Sequence, residues 1–511
     1  MFSKILSGTI CGFEPTLIEV EVDIAGGIPS FSLVGLPDTA VTEARERVRA
    51  ALKNAMLDLP SRRITVNLAP ADIRKEGAGL DVPLAIGLLT SSDMIPPLNV
   101  ENLLFVGEMS LDGRLKHSKG ILPLALLAKE KGLRGMVVPS ANAKEAMVVP
   151  DLPVYAFESL GSMVEALRGN QPFSPDVLTE STKPSVSPPF SNIDMAEIKG
   201  QPFARRALEI AAAGGHNLLM VGPPGAGKTL LAKAMPSILP PLSFEEAIEV
   251  TKIYSVKGLL PAGCGIIETR PFRDPHHTIS DAALIGGGRI PSPGEVSLAH
   301  HGVLFLDELP EFKKAVLEVL REPLTEGRVT ISRASQAASF PARFLLIAAM
   351  NPCPCGYTND PLKTCACNHN QIRNYQQKIS GPLLDRMDLQ ISVPRLKPEE
   401  LASEESGETS KTVLTRVIKA RTRQKERHPR GLIKLNAHLP PKLLKTDCIL
   451  EPESIRILLD AVRKFGLSAR AYDKIIRVAR TIADLDQFEN INLPHIAEAI
   501  QYRTIDPFCA L

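Results

Sequence analysis

No apolar run in this 511-residue sequence reaches the roughly 18–20 residues of a membrane-spanning helix, which argues against an integral membrane protein. Net charge is nearly absent too, since 59 Lys and Arg against 57 Asp and Glu leave +2. A polyanionic partner would therefore need a local basic site. The opening MFSKILSGTICGFEP lacks a long apolar core and a small-residue cleavage site, so no secretory signal is expected. That reading places the chain in a reducing cytoplasm, where clustered cysteines bind metal more often than they form disulfides. Internal repeats and low-complexity tracts are missing apart from one linker. What remains is 44% hydrophobic and 23% charged, the balance of a globular protein with ample core. The length suggests about three domains.

Residues 1–168 read as an α+β domain. TLIEVEVDI and ITVNLAP are strand-like, and 38–57 is an amphipathic helix with Asp38 near its N-cap. GEMSLDGRLK carries the Asp-Gly turn of a hairpin. Residues 169–192, with five prolines and many Ser and Thr, form a linker. Residues 193–395 hold the strongest motifs, and 396–511, after the polar LASEESGETSK, are rich in helical patterns. The basic helix KTVLTRVIKARTRQKERHPRG has eight Lys and Arg against one Glu. Such a run is more often a solvated face than a DNA contact.

NLLMVGPPGAGKTLLAKAM (217–235) is an apolar strand, a phosphate-binding loop and a helix. Gly222, Pro223, Pro224, Gly225, Ala226 and Gly227 form the loop, whose N–H groups would cradle phosphates at a helix N-terminus. Lys228 is expected to reach the β- and γ-phosphates of ATP, and Thr229 to ligate Mg²⁺. GVLFLDELPEF (302–312) is a buried strand ending in Asp307, a second Mg²⁺ ligand, and Glu308, which would polarise the attacking water. A third strand, ARFLLIAAMN, ends in Asn351, which either orients water near the γ-phosphate or merely forms a turn. In SGPLLDRMDLQI, Arg386 follows a Gly-Pro turn. It is either an arginine presented to a neighbouring subunit's nucleotide or an ordinary surface residue.

NPCPCGYTNDPLKTCAC (351–367) brings Cys353, Cys355, Cys365 and Cys367 together within the segment joining Asn351 to Arg386, where little secondary structure is expected. Four thiolates suit a closed tetrahedral Zn²⁺ site. Cys-x-Cys is shorter than the usual ligand spacing, His369 could replace one thiolate, and reduced thiols in a turn remain the alternative. EGRVTISRASQAASFPAR (326–343) reads as a hairpin. Its Arg328 and Arg333 are candidate DNA-phosphate contacts, with a solvated hairpin as the plain alternative. The segment RPFRDPHHTISDAALIGGGRIPSPGE, with Arg270, Arg273 and Arg289, reads as a mobile polar loop. Its His276 and His277 are expected to point apart, which argues against a metal there.

The run RPFRDPHHTISDAALIGGGRIPSPGEVSLAHHGVLFLDELPEF (270–312), with NPCPCG and SGPLLDRMDL, closely resembles the magnesium-chelatase-related AAA+ ATPases. The resemblance spans essentially the whole chain. It implies an α/β P-loop core with a helical lid, ring-shaped homo-hexamers and hydrolysis of ATP with Mg²⁺. By family pattern Asn351 is sensor 1, Arg386 the arginine finger acting in trans, and Arg470 in LSARAYDKIIRVAR the sensor 2 arginine. A member of this family that the whole chain resembles implies branch migration of DNA in natural transformation, with single-stranded and branched DNA as partners. A chaperone or chelatase-like subunit without a DNA role is the alternative. RKEGAGLDVPLAIGLL (74–89) and VGEMSLDGRLKHSKGILPLALLA (106–128) resemble the Lon protease fold, a ribosomal S5 domain 2-like architecture. The positions of that family's serine–lysine dyad fall on Gly79 and Leu122, which carry neither hydroxyl nor amine. Peptide hydrolysis is therefore expected to be absent.

Overall fold

Three short apolar runs build the centre of the molecule: Leu218–Val221, Val303–Leu306 and Leu345–Met350 are strands buried at every residue. Leu218, Met220, Val303, Phe305 and Ile347 enter one core, while Leu219, Val221, Leu304, Leu306 and Leu346 enter another. A sheet covered on both faces needs continuous rather than alternating hydrophobicity, and these runs have it. The computed structural model describes all residues except 58–59, 76, 177–192, 262, 289–290, 333–336, 359, 361–362, 397–406, 429–434 and 505–511. Arg289, Arg333 and most of the expected linker thus lie outside the described residues.

The complete core sheet has the order Phe272–Arg273, Val303–Leu306, Leu345–Met350, Leu218–Val221, Leu389–Ser392, all parallel. Parallel pairing puts the carboxyl ends of these strands on one edge, where open α/β sheets bind ligands. The expected hairpin is present as Arg328–Ser332 paired with Ala337–Pro341.

The N-terminal domain is a seven-stranded mixed sheet backed by helices Thr39–Asn54, Asp81–Ser91 and Ile121–Glu130. Asp38 caps the first of these, accepting from the Val41 N–H. The opening residues are the strand Phe2–Cys11, paired along its length with Glu14–Ala25. The domain also packs on the core. Helix Phe244–Lys257 lies against Ile121–Glu130, with Ser255 Oγ donating to buried Glu145 Oε1 at 2.5 Å and Gly120 N–H to Ser255 O at 3.2 Å. Phe13 meets Phe340 of the hairpin edge-on at 6.3 Å and lies 4.4 Å beneath the Lys252 ammonium.

The C-terminal region is helical: Ser410–Arg427, Pro441–Asp447, Pro452–Phe465, Ala469–Leu485 and Leu493–Thr504. Much of the basic helix's charge is spent on packing. Arg416 pairs with Glu209 and Glu408, Arg421 donates to Ala212 O, and Arg427 pairs with Asp484.

One buried ion pair joins this region to the core. Asp388, just before the edge strand, accepts from Lys474 Nζ at 2.6 Å and from the Asn217 N–H at 3.0 Å, with His216 Nδ1 at 3.7 Å. Burial opposes its ionisation, but Lys474 and His216 hold the carboxyl well below its ordinary range. A depressed pKa stabilises the fold above the unfolded value of about 4, and that contribution is lost as pH falls through the folded value. Asp388→Asn should strand a buried ammonium and cost about 3–5 kcal/mol. Denaturant melts at pH 7 should reveal the loss, and acid should narrow the gap between variant and parent.

Candidate nucleotide site

The loop after Leu218–Val221 turns back on itself because Gly225 and Gly227 adopt left-handed backbone, φ 78° and 86°. Gly222 is needed for a different reason: a Cβ there would lie 2.1 Å from Val393 O. The loop delivers Lys228 and Thr229 as the first residues of helix Lys228–Ile238, whose N-terminus favours anions. A cavity of about 400 Å³ opens there, lined by residues 224–230, Asp307, Glu308, Met350 and Asn351. The sequence spreads these groups from 224 to 351, and the parallel sheet edge gathers them.

Lys228 Nζ donates to Gly222 O, Pro223 O and Asn351 Oδ1 at 2.7, 2.9 and 3.2 Å. Burial pushes the ammonium down to about 8, and the Asp307 and Glu308 carboxylates oppose that shift. Thr229 Oγ1 donates to Asp307 Oδ2 at 2.8 Å, so a hydroxyl and a carboxylate suited to one Mg²⁺ already adjoin. Glu308 follows in left-handed backbone, φ 51°, with its N–H on Asp307 Oδ1 at 2.9 Å. Its half-exposed carboxylate is 3.3 Å from His277 Nδ1.

This last contact corrects one expectation. His276 and His277 do not point apart; their rings stack at 4.1 Å, tilted by 34°. A proline-preceded turn, with Ile279 N–H on His276 O, folds the pair over instead of extending it. The segment is also anchored: Arg270 pairs with Glu246 and Arg273 with Glu295.

Arg386 and Arg470 line no part of this cavity. Arg386 donates to Thr325 Oγ1 at 3.0 Å and Pro382 O at 2.8 Å, and Arg470 lies 3.9 Å from Asp385. Burial, then the nearby Arg321 and Arg470 charges, hold the Arg386 pKa below its ordinary value. Three guanidinium groups thus lie near one another, and none of them lines the cavity. Arg321 carries no motif in the sequence that marks it.

The four cysteines converge. Sγ–Sγ distances are 3.3 Å for 353–355, 3.7 Å for 353–365 and 3.5 Å for 355–365. All four ligand atoms lie within 4.8 Å of one another, a group that could hold a metal ion. His369 is not among them; it opens helix His369–Gln376, capped by Asn368 and Gln371. That helix corrects the expectation of little secondary structure between Asn351 and Arg386. Its polar face hid it, and the Asn-x-x-Gln capping box was the available signal. The cysteine loop abuts the phosphate loop, since a Cβ at Gly356 (φ 82°) would meet Pro224 Cδ at 2.5 Å.

A second cluster, Glu249, His300 and His301, has metal-like spacing. Buried His300 accepts the Arg343 N–H at Nδ1, 2.9 Å, so its Nε2 carries the proton that it gives Glu249. A protonated nitrogen has no lone pair for a metal, and His300 serves here as a neutral hydrogen-bond donor to Glu249.

Residues 194–401 match the family model described as magnesium chelatase, subunit ChlI. Residues 20–142 match that for subunit ChlI of Mg-chelatase, and 407–503 that for the ChlI C-terminal region. The chain is 45% identical over 501 residues to the competence protein ComM of Haemophilus influenzae, covering 97% of this chain and 96% of that protein. The chain belongs to the magnesium chelatase ChlI family. Within the ChlI family it is also similar to the uncharacterized protein YifB of Salmonella typhimurium, 42% identical over 500 residues, 97% and 96% of the two chains. A more distant likeness, 26% over 340 residues, links 63% of the chain to 38% of the DNA replication licensing factor MCM3 of Oryza sativa subsp. indica. Among the described residues, no helix is long and apolar enough to cross a membrane.

Proposed function

We propose that this ChlI-family protein is a ring-forming, ATP-driven DNA motor of the cytoplasm, a branch-migration helicase serving natural transformation and recombination. The observation that carries it is the gathering of Lys228, the Thr229–Asp307 pair, Glu308 and Asn351 around one cavity. Thr229 and Asp307 would hold Mg²⁺, which neutralises phosphate charge when bound. Lys228 binds the phosphates, Glu308 orients water and takes its proton, and Asn351 fixes Lys228 from the side. The DNA half of the reading leans on the likeness to a competence protein and, more weakly, to a replication licensing factor.

A homo-hexamer accounts for the outward arginines. Arg386, with Arg470 as sensor 2 and Arg321 beside them, would complete the site of the next subunit. The C-terminal helices act as the lid. The N-terminal domain keeps a Lon-like fold without its dyad, since Gly79 is backbone alone and Leu122 is buried at a helix start.

The deciding experiment is ATP hydrolysis with and without single-stranded and forked DNA across a salt series. Salt-sensitive stimulation is expected, because phosphate contacts supply most non-specific affinity. Arg328 is exposed on the hairpin, and Arg328→Ala with Arg333→Ala should lower DNA-stimulated turnover more than turnover without DNA. Hydrolysis indifferent to DNA favours the second reading, a chelatase-like subunit or chaperone, which the ChlI models themselves support.

The cysteine group fits structural Zn²⁺. A tetrahedral site with bonds of about 2.3 Å needs sulfurs about 3.8 Å apart, close to those observed. Four protein ligands leave no open position, so the metal would brace the loop rather than react. Metal analysis should find about one zinc per chain, removed by Cys365→Ser with Cys367→Ser, and ATP turnover should fall as Pro224 loses its support. Metal-free protein with full turnover would exclude the site.

A further inference from the structure

We propose that the strand Ser30–Val34 is a docking edge for an extended segment of another protein, apolar at alternate positions and acidic at its C-terminal end. The strand ends one side of the seven-stranded sheet and pairs with Arg63–Ala69 alone. Among the described residues no hydrogen bond reaches it outside that ladder, so a row of its N–H and C=O groups faces outward. The opposite edge is treated differently. There Asp176 closes Val154–Phe157, giving its N–H to Val154 O at 2.7 Å and accepting the Ala156 N–H at 2.8 Å. Phe173 stacks on Tyr155 at 4.2 Å beside it. The chain thus covers one edge with its own residues and leaves the other bare.

Bare edges are ordinarily blunted by charge, but residues 26–37, GGIPSFSLVGLP, carry none. Ile28, Val34 and Leu36 are exposed, Ile28 by 87%. Phe31 and Leu33 lie half-buried against the domain's core, while Ser30, Ser32 and Val34 face solvent. An added strand would extend that core with apolar residues beside Phe31 and Leu33, and keep polar ones beside the serines. Pro29 and Pro37 bracket the strand and confine pairing to its length. The edge is also preformed. A Cβ at Gly35 would lie 2.2 Å from Leu68 O, so the end of the strand is seated tightly on its neighbour.

Charge selects the occupant. Ser30 pairs in register with Arg63, so Arg62 and Arg63, both exposed, stand at the start of the edge. Among the described residues neither has an ion-pair partner. Antiparallel pairing is the commoner kind, and it brings the C-terminal end of an added strand to these two guanidinium groups. A second copy of the chain fits less well. Two such edges paired antiparallel would set Arg62 and Arg63 against the far end of the strand. There Asp38 already accepts from Val41 and Gly77, and Asp72 faces buried Lys75.

The probe is a short labelled peptide of alternating valine and threonine ending in aspartates. It is titrated into the full chain without ATP or DNA and followed by fluorescence anisotropy, and saturable binding is expected. Only alternate residues of an added strand bond to the edge. N-methylation of that set should weaken binding about tenfold, whereas N-methylation of the other set should leave it within about twofold. Arg62→Glu with Arg63→Glu should weaken binding about tenfold, and a peptide ending in lysines should recover it on that variant. The methylated peptides report on the parental chain, so the outcome does not hang on the folding of a variant. No saturable binding, equal effects of the two methylation patterns, or charge reversal without effect would overturn the proposal. Peptide that splits the chain's assemblies in sedimentation would give the edge to a second copy and overturn it too. Single-stranded DNA that displaces the peptide would do the same by giving Arg62 and Arg63 to nucleic acid.

Discussion

Lys228→Ala protein should fail to retain ATP, whereas Glu308→Gln protein should bind it and turn it over about 10²–10⁴-fold more slowly. The two losses differ because the side chains do different work in one cavity. Lys228 is buried among oxygen acceptors of the loop, and no other described ammonium lines the cavity to meet the phosphate charge. Glu308 touches neither the loop nor Lys228 by hydrogen bond; it faces the open side, where a water would approach. Glutamine keeps its shape and cannot take a proton. Equilibrium binding of labelled ATP beside steady-state turnover distinguishes the cases. Parental turnover in both variants would refute the site.

Arg386→Ala should reduce turnover by about 10³–10⁵-fold, the range of an arginine finger, with the deficit repaired by a partner that is itself inactive. Subunits carrying Arg386→Ala have an intact phosphate cavity, and subunits carrying Glu308→Gln have an intact arginine face. Where the first offers its cavity to the second's arginine, one complete site forms. Mixing the two inactive proteins should therefore recover activity that neither shows alone, peaking at intermediate ratios. No recovery at any ratio would mean that Arg386 acts within its own chain or not at all.

The middle of the central sheet and its ligand edge were legible because the strands Leu218–Val221, Val303–Leu306 and Leu345–Met350 are continuous apolar runs ending in a motif. GPPGAGKT, Asp307-Glu308 and Asn351 all sit where those strands end. The cysteine convergence was suggested by the gathering of Cys353, Cys355, Cys365 and Cys367 within 351–367, although Cys-x-Cys is shorter than the usual ligand spacing. The parts that were not legible depend on distant partners. Asp388 lies two residues from Arg386 in a quoted motif, yet its role appears only when Lys474 arrives from a helix far along the chain. Asn217 opens the phosphate-loop strand and holds two of its neighbours, donating to Arg386 O and accepting from the Leu346 N–H. Nothing in its local sequence separates it from a solvated asparagine. The basic helix misleads in the opposite sense: its arginines pair with Glu209 and Asp484, so a charge run was no measure of free charge.

Helix Phe244–Lys257, which carries Ser255 onto Glu145, lies inside the ATPase stretch of the chain, between the phosphate loop and the acidic strand. The N-terminal domain is therefore attached twice, once by peptide bonds and once by this buried seam with Phe13 against Phe340. A body joined by peptide bonds alone can swivel; one with a helix and an aromatic pair buried against the core is held by them. A rotation of the core that leaves this seam intact carries the N-terminal domain with it, as a spoke is carried by its hub.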